Sequence, residues 1–316
     1  MKGKNLLVLG GSGFIGSHLT QRLVQAGAKV RVFTRPGKSV KNIAAVLEQI
    51  ELIYGDFMDE VILKKAVSDI DCVVHLISTT FPSTTVESGV YDVYSNLIPT
   101  IRLLEYCVKE GVEQIVYASS GGTIYGEPEH LPITEEHPLA PLSIYGQSKK
   151  VIESYFSFFS RTNEIDVQTL RISNPYGPQQ NPYGVQGIIA VALGCALDGR
   201  KFKVFGKGDT VRDYIYIDDV IDAILCAIET KGSTIVNVSS GKGKSVNEII
   251  ETLEKISGRK IEKIFNDKRL GDVSVNILSN QKACQLYSWR PKIELEEGLV
   301  RTWDWLVKDG YTVKNG

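Results

Sequence analysis

A tyrosine and a lysine stand four residues apart in Tyr145-Gly-Gln-Ser-Lys149. This spacing places both side chains on one face of a helix, about one turn apart. An ammonium beside a phenol favours the phenolate, so we expect Lys149 to lower the pKa of Tyr145 toward working pH. Such a tyrosine can take a proton from an alcohol and return it. The pair therefore predicts acid–base chemistry on a hydroxyl group, although the same spacing also occurs on solvated helix surfaces.

Three glycines near the N-terminus, Gly10, Gly13 and Gly16, join an apolar run at 6–9 to a helical pattern at about 14–26. Gly10 allows a sharp turn, Gly13 lets the backbone approach a pyrophosphate, and Gly16 lets the helix pack closely on the strand. The free N–H groups at the start of a helix bind phosphate. Strand, glycines and helix in this order predict a dinucleotide-binding site rather than a plain glycine-rich turn.

The next predicted strand, at 29–33, ends in Thr34-Arg35-Pro-Gly-Lys38 and has no carboxylate there. A carboxylate at this place would bond the adenosine ribose of a dinucleotide. The two cations could accommodate the 2′-phosphate of NADP, or Arg35 could stack near the adenine of NAD. Both cofactors remain open from these residues alone.

Composition excludes several classes of partner. The chain has 316 residues, and its 36 basic and 37 acidic residues leave a net charge of -1, which does not suggest nucleic acid or an anionic membrane as partner. The five cysteines are scattered without a CxxC pair, so we expect reduced thiols and no metal site. No apolar run reaches the length of a membrane span. We expect a cytoplasmic protein of one large domain or two tightly joined ones.

Strand and helix patterns alternate through the first half of the chain. Strands are predicted at 6–9, 29–33, 50–54, 72–76, 114–118 and 167–171, with helices at about 14–26, 59–67, 91–109 and 145–161. This order predicts an α/β fold with a Rossmann-type, doubly wound parallel sheet. Ligands bind beyond the carboxyl ends of such strands. The loops expected at the site are Gly10–Gly16, Asp56–Phe57, Leu76–Thr80 and Ser119–Thr123.

Beyond Asn174 the alternation loosens. Short strands are predicted at 203–205, 213–217 and 234–238. Asp218 is expected to cap a helix that runs to about 229. Ser245-Val-Asn-Glu248 has the form of a capping box and predicts a helix to about 256.

Several motifs together resemble the extended short-chain dehydrogenase/reductase family. They are closest to its nucleotide-sugar epimerase/dehydratase branch, typified by the UDP-glucose 4-epimerases. The similarity covers nearly the whole chain. The motifs that carry it are Gly10-Gly-Ser-Gly-Phe-Ile-Gly16, Ser119-Ser-Gly-Gly-Thr-Ile-Tyr-Gly126, Tyr145-Gly-Gln-Ser-Lys149, Asn174-Pro-Tyr-Gly-Pro178, Arg212-Asp-Tyr-Ile-Tyr-Ile-Asp-Asp219, Arg269-x-x-Asp272 and Trp289-x-Pro291.

The resemblance implies a nucleotide-sugar 4-epimerase of the UDP-glucose/UDP-galactose type. Tyr145 would remove the proton of the sugar 4-hydroxyl, and Lys149 would bond the nicotinamide ribose. The cycle has no net redox change, which favours tightly bound NAD, although NADP is not excluded. The alternative is an NAD(P)H-dependent 4-ketoreductase of a deoxysugar nucleotide, motivated by the Thr34-Arg35 strand end. A dehydratase is disfavoured because the Ser119–Thr123 loop has no acid, and a non-enzymatic dinucleotide sensor because both Tyr145 and Lys149 are present.

The third catalytic group departs from the family pattern. The family often places a serine or threonine at the position of Gly121. We therefore expect the catalytic hydroxyl to come from Ser120, or else from Thr123.

The resemblance and the loop positions also assign the remaining site residues. Arg212 and Arg269 suit a diphosphate, because guanidinium bonds phosphate bidentately. The cofactor is expected to contact Gly10, Gly13, Phe14, Ile15, Gly16, Arg35, Asp56, Phe57, Leu76, Ser78, Asn96, Ser119, Tyr145 and Lys149. The substrate is expected to contact Thr79, Ser120, Tyr145, Asn174, Gly187, Arg212, Arg269 and Asp272. The identity of the sugar should depend on the pocket near Thr79–Ser83, Asn174 and Gln186–Ile188.

The resemblance further implies two lobes and a homodimer. Residues 1–173 with about 213–240 would form the dinucleotide-binding domain. Residues 174–212 with 241–316 would form the lobe that binds the nucleotide sugar. The helices at about 91–109 and 145–161 would pair with those of a second copy in a four-helix bundle.

Overall fold

A seven-stranded parallel sheet forms the centre of the molecule. The structure is a computed structural model that describes residues 1–81, 89–269 and 271–308. The strands are β1 (Asn5–Leu9), β2 (Lys29–Thr34), β3 (Ile50–Tyr54), β4 (Cys72–His75), β5 (Gln114–Ser120), β6 (Asp166–Ile172), and, later in the chain, β10 (Thr234–Val238). The sheet order is β10-β6-β5-β4-β1-β2-β3. The predicted Rossmann-type sheet is confirmed.

Most strands of the sheet are largely buried because both faces are covered, whereas the edge strand β3 is only partly buried. In β1, Leu6 and Val8 lie in one buried cluster, whereas Leu7 and Leu9 lie in a second cluster on the opposite face. This division follows from the alternation of side chains along a strand. Each face therefore requires its own layer of helices.

The helices of the described residues are α1 (Phe14–Gln25), α2 (Glu60–Val67), α3 (Gly89–Asp92), α4 (Ile98–Lys109), α5 (Ile144–Thr162), α6 (Ile188–Asp198), α7 (Ile217–Glu229), α8 (Val246–Ser257), α9 (Gln281–Tyr287) and α10 (Leu295–Lys308). A 3-10 helix spans Lys41–Gln49, and a π-helical turn, Val93–Leu97, joins α3 to α4. Helices α1 and α7 contribute to the first cluster, and α2, α4 and α5 to the second. None of the helices within the described ranges has the length and apolar content to cross a bilayer.

The strand order reverses between β1 and β4. The chain proceeds from β1 outward through β2 to β3, then returns to place β4 on the other side of β1. A crevice opens at such a reversal, beyond the carboxyl ends of the two strands. The glycine loop after β1 and the loop Leu76–Thr80 after β4 border this crevice.

A smaller sheet lies beyond β6. It contains β7 (Asn174–Tyr176), β9 (Val211–Tyr216), β11 (Gly243–Ser245) and β13 (Val275–Asn276), and a separate pair joins β8 (Phe202–Phe205) to β12 (Lys263–Asn266). The buried carboxylate of Asp213 on β9 accepts hydrogen bonds from the backbone N–H groups of Ser240 at 2.9 Å and Gly241 at 3.0 Å. It also accepts one from Leu278 N at 3.3 Å. These bonds connect the smaller sheet to the loop that follows β10.

Two predicted helix starts have different outcomes. The capping box is confirmed, because Ser245 and Glu248 bond each other's backbone N–H groups at the start of α8. The prediction that Asp218 caps α7 is wrong. Strand β9 continues to Tyr216, which is extended (φ -70°, ψ 145°) and serves as the N-cap. Asp218 lies instead in the first turn, where a carboxylate is stabilised by the positive end of the helix dipole.

Candidate active site

Tyr145 and Lys149 both face strand β5 from the start of α5. The helix begins at Ile144 because Ser143 accepts a hydrogen bond from Gly146 N as its N-cap. Lys149 is buried, and its Nζ donates to Ala118 O at 2.9 Å. The same Nζ lies 5.6 Å from the ring centroid of Tyr145. The two predicted residues are therefore assembled on the face of α5 that is directed at β5.

The acid–base states of this pair differ from expectation. Burial raises the pKa of Tyr145 to about 12, against the effect of a hydrogen bond with Ser120, and the charge of Asp92 raises it further. Burial lowers the pKa of Lys149 to about 8, while the charges of Glu153 and Asp92 act in the opposite direction. The prediction that Lys149 lowers the pKa of Tyr145 toward working pH is wrong here. Loss of solvation outweighs the ammonium, which is directed at Ala118 O.

Ser120 and Thr123 form a chain of hydroxyls that ends at Tyr145. Ser120 lies close enough to lower the pKa of Tyr145 as a hydrogen-bonding neighbour, and Thr123 Oγ1 donates to Ser120 Oγ at 2.9 Å. Both hydroxyls are thus present, with Ser120 nearer the phenol. Gly121 has no room for a side chain, because a Cβ atom there would overlap Leu278 and lie 2.9 Å from Arg171 O. The position where the family often has a hydroxyl is closed by packing.

The glycine loop has the geometry that a dinucleotide requires. Gly10 has φ +85°, and a Cβ atom on Gly16 would overlap the carbonyl oxygen of Gly10. Gly13 N donates to that oxygen at 3.0 Å. Helix α1 then begins at Phe14 and Ile15 without a side-chain cap and without an acidic residue in its first turn. The helix N-terminus therefore offers N–H groups and a positive dipole end to a pyrophosphate, and the residues fit NAD.

The residues expected on the adenosine side lie in different surroundings. Thr34 Oγ1 and Ser12 Oγ are hydrogen-bonded at 2.6 Å, which connects the end of β2 to the glycine loop. Arg35 and Asp56 are exposed. The ring of Phe57 is buried, 5.2 Å from the ring of His75, so only its backbone could face a ligand.

The loop after β4 is held by the π-helical turn. Leu76 N donates to Leu9 O at 3.1 Å, and Ser78 Oγ donates to Thr80 O at 2.9 Å. Asn96 Oδ1 accepts from Thr79 N at 2.9 Å. Ser78 and Asn96 line a small cavity with Tyr145 and Lys149. Pro82 and Ser83, predicted to contribute to the sugar pocket, lie outside the described residues.

The residues expected to bind the diphosphate gather around β9. Arg212 forms an ion pair with Asp272, and its guanidinium donates to Val211 O at 2.8 Å. The guanidinium of Arg269 lies 3.7 Å from the ring centroid of Phe205. Gly187 is the N-cap of α6 with φ +82°.

Asn174 connects this group to the catalytic loop. Its Nδ2 donates to Asp213 O at 2.9 Å, and its amide lies 3.8 Å from the place of a Cβ atom on Gly122. The structure thus joins the Ser119–Thr123 loop to Arg212 through Asn174 and Asp213.

Two carboxylates near Lys149 were missed in the sequence. Asp92 is fully buried and accepts hydrogen bonds from Thr80, Ser148 and Asn96. Glu153 forms a buried ion pair with Arg171 at 2.7 Å and accepts from Ser119 Oγ at 2.5 Å. The stripe Tyr145–Lys149–Glu153, with its spacing of four, could have indicated Glu153. Nothing in the local sequence distinguishes Asp92 from a surface aspartate.

The chain is similar to proteins of one family along nearly its whole length. Residues 6–239 match the NAD dependent epimerase/dehydratase family. The UDP-glucose 4-epimerase of Thermotoga maritima, solved with UDP-glucose, is 34% identical, with coverage of 96% of this chain and 99% of that chain and a TM-score of 0.91. The UDP-glucose 4-epimerase of Thermus thermophilus, solved with NAD, is 32% identical, with coverage of 96% and 99% and a TM-score of 0.90. The dTDP-4-dehydro-6-deoxyglucose reductase of Escherichia coli is 31% identical over 300 residues, 93% of this chain and 95% of the reductase.

The glycine loop, the Tyr145–Lys149 pair and these matches define the class of protein. The chain belongs to the NAD-dependent epimerase/dehydratase family of extended short-chain dehydrogenases/reductases. It is an NAD-dependent epimerase of this family, and the preference for NAD is confirmed.

Proposed function

We propose that this protein interconverts the carbon-4 epimers of a UDP-hexose, with UDP-glucose and UDP-galactose as the first pair to test. The observation that carries the proposal is the grouping of Tyr145, Lys149 and Ser120 at the carboxyl edge of the sheet, where Lys149 Nζ lies 5.6 Å from the ring centroid of Tyr145 and Ser120 acts on the pKa of that phenol. This edge also carries the glycine loop after β1. A proton acceptor for a sugar hydroxyl therefore borders the dinucleotide site.

The chain's own residues divide the work of the reaction. Tyr145 takes the proton of the 4-hydroxyl, and Ser120 bonds the 4-oxygen, with Thr123 behind it. When bound, NAD⁺ supplies the reversible two-electron acceptor, and its positive charge favours the phenolate. Carbon 4 becomes a ketone and is reduced again from its other face, after which Tyr145 returns the proton. Sugar and cofactor both end in their original oxidation states.

The diphosphate is proposed to bind at Arg212 and Arg269. The Arg212–Asp272 ion pair and the stacking of Arg269 on Phe205 support this role, because each contact fixes the orientation of a planar guanidinium. The sugar would then extend toward Asn174 and Tyr145. Its identity, whether hexose, N-acetylated hexose or hexuronate, depends on the pocket that these residues enclose.

A second candidate activity is reduction of a 4-keto sugar nucleotide. Arg35 at the end of β2 and the similarity to the Escherichia coli reductase favour it.

A single experiment separates the two activities. The purified protein is incubated with UDP-glucose or UDP-galactose without added cofactor, and the sugars are followed by proton NMR. Interconversion is expected. Failure to interconvert them, together with NADPH oxidation on a dTDP-4-keto sugar, would contradict the proposal.

We also propose that two copies associate through the segment 89–109 and helix α5. Tyr91, Tyr94 and Val108 on that segment are exposed, as is Phe158 on α5. Because α4 packs against α5, these apolar side chains belong to one helix pair. Two such pairs would cover each other in a symmetric four-helix bundle.

A further inference from the structure

Asp92 is a buried carboxylate at the last residue of α3. It is fully excluded from solvent, and the π-helical turn Val93–Leu97 follows it directly. Its carboxylate accepts hydrogen bonds from the hydroxyls of Thr80 and Ser148, and from Asn96 Nδ2 at 3.0 Å. A π-helical turn is uncommon and often occurs at functional sites. The π-helical turn here brings the side chain of Asn96 back to Asp92, the residue immediately before the turn.

The three donors come from elements that border the site. Thr80 belongs to the loop after β4. Ser148 lies on α5, three residues after Tyr145, so it shares the helix face of Tyr145, and it lines the same cavity as Tyr145 and Lys149. Asp92 also lines the small cavity that Tyr145 and Lys149 line. The carboxylate therefore connects the catalytic face of α5 to the loop on the cofactor side.

Asp92 forms no ion pair within the described part of the chain, and its hydrogen-bond donors there are two hydroxyls and an amide. Glu153, the other carboxylate near Lys149, is paired with Arg171 at 2.7 Å. Lys149 lines the same cavity as Asp92, so its ammonium is the cation on which the unpaired carboxylate of Asp92 can act.

The other groups that face Lys149 are weaker candidates for this role. The ring centroid of Tyr117 on β5 lies 4.7 Å from Nζ, and burial raises the pKa of that phenol well above its ordinary value, so it stays neutral. Burial lowers the pKa of His75 on β4 to about 3, and the charge of Lys149 lowers it as well, so this ring is also neutral. The charges of Glu153 and, to a smaller extent, Asp92 raise the pKa of Lys149, and of these two carboxylates Glu153 is already paired with Arg171.

We propose that Asp92 is a positioning residue of the proposed reaction, which holds the catalytic face of α5 against the loop after β4 and supplies the anion that keeps the Lys149 ammonium charged. The inference rests on the proposed function for its relevance to catalysis. The electrostatic effect of Asp92 on Lys149 does not depend on turnover, which allows it to be tested separately.

The test is the titration of Lys149 in the protein as purified. Lysine is labelled with ¹³C at Cε, and the Lys149 signal is assigned by its loss in Lys149→Arg. Asp92→Asn keeps the shape of the side chain and removes its charge. The titration midpoint, about 8 in the parent, should fall by about one pH unit, the lower end of the effect of a neighbouring opposite charge. Asp92→Ser makes the same comparison if the asparagine variant is insoluble.

A matched control is Asp219→Asn. Asp219 is equally buried, but its carboxylate accepts from Lys292 N at 2.8 Å and Ile293 N at 3.1 Å in another part of the molecule. This variant should leave the midpoint of Lys149 unchanged. The basic limb of the kcat profile against pH should move with the midpoint in Asp92→Asn and stay in place in Asp219→Asn.

An unmoved Lys149 midpoint in a folded Asp92→Asn or Asp92→Ser protein overturns the inference, whatever the activity. If Asp92→Asn shifts the Lys149 midpoint but the parent protein is inactive on every UDP-sugar, the effect of Asp92 on Lys149 is supported and only the proposed function is contradicted. The two failures are therefore distinguishable.

Discussion

At the scale of single residues, burial sets the acid–base state of the site before any ligand binds. Tyr145 is a neutral phenol at working pH, because burial raises its pKa to about 12. The Lys149 cation is lost as the pH rises through about 8.

The spacing of Tyr145 and Lys149 was visible in the sequence. Asp92 was not, because its bond to Ser148 joins residues 56 positions apart and depends on how two helices pack.

Tyr145→Phe should abolish epimerisation while leaving the fold intact. We expect kcat to fall at least ~100-fold, since general acid–base catalysis contributes roughly 10²–10⁴-fold. The matched control is Tyr117→Phe, which removes a buried phenol that has no hydrogen-bond partner among the described residues. Coupled assays with UDP-galactose, and circular dichroism of both variants, decide the question. A fully active Tyr145→Phe protein would show that the central assignment is wrong.

At the scale of elements, the strands of the central sheet were predictable and the shortest strands of the smaller sheet were not. Strands β1, β2, β4, β5 and β6 are largely buried runs bounded by loops, and β3 is a partly buried run of the same kind, so their pattern indicates them directly. Strands β11 and β13 have three and two residues, too few to show a period, and they exist because they pair with β9. The loop after β5 is a second example of what the sequence does not show. The sequence shows that Gly121 lacks the hydroxyl that the family often has there. Only the structure shows why a glycine is required, because a side chain at this position would overlap Leu278 and Arg171.

Gly121→Ser should destabilise the protein rather than add a catalytic hydroxyl. Its Cβ atom would overlap Leu278, and overpacking of this kind costs about 1–3 kcal/mol of unfolding free energy. Gly122→Ser is the control, because the nearest atom to its Cβ atom would be 3.8 Å away. Urea unfolding of the two variants measures the difference. Equal stability of both would refute the packing argument.

At the scale of the whole molecule, the central sheet contains strands from both halves of the chain. Strand β10 pairs with β6 in the central sheet, and β9 pairs with β7 in the smaller one. The division into a dinucleotide domain and a sugar lobe stays a prediction, as does the cytoplasmic location. The division does not follow from the sequence pattern alone, because the connections between the two sheets depend on side-chain contacts such as those of Asp213.

The proposed dimer can be tested by introducing a charged side chain into its apolar surface. Tyr94→Glu or Phe158→Glu, at side chains that are 61% and 51% exposed, should convert the dimer to a monomer, because a carboxylate would be buried without a partner. Val185→Glu, at a residue that is 70% exposed elsewhere on the chain, should leave the dimer intact. Sedimentation velocity measures the mass of each. A monomeric parent, or dimers in all three variants, would contradict the proposed surface.

The hydrogen bonds of Asp213 have a consequence for how a sugar could move during the reaction. They fix β9 to the loop after β10, and Arg212, the proposed diphosphate ligand, is the preceding residue on that strand. The diphosphate end of the substrate would then be a stationary pivot. Exposing both faces of carbon 4 to one reducing centre would require rotation about the bonds between sugar and phosphate, while the protein around the pivot stays still.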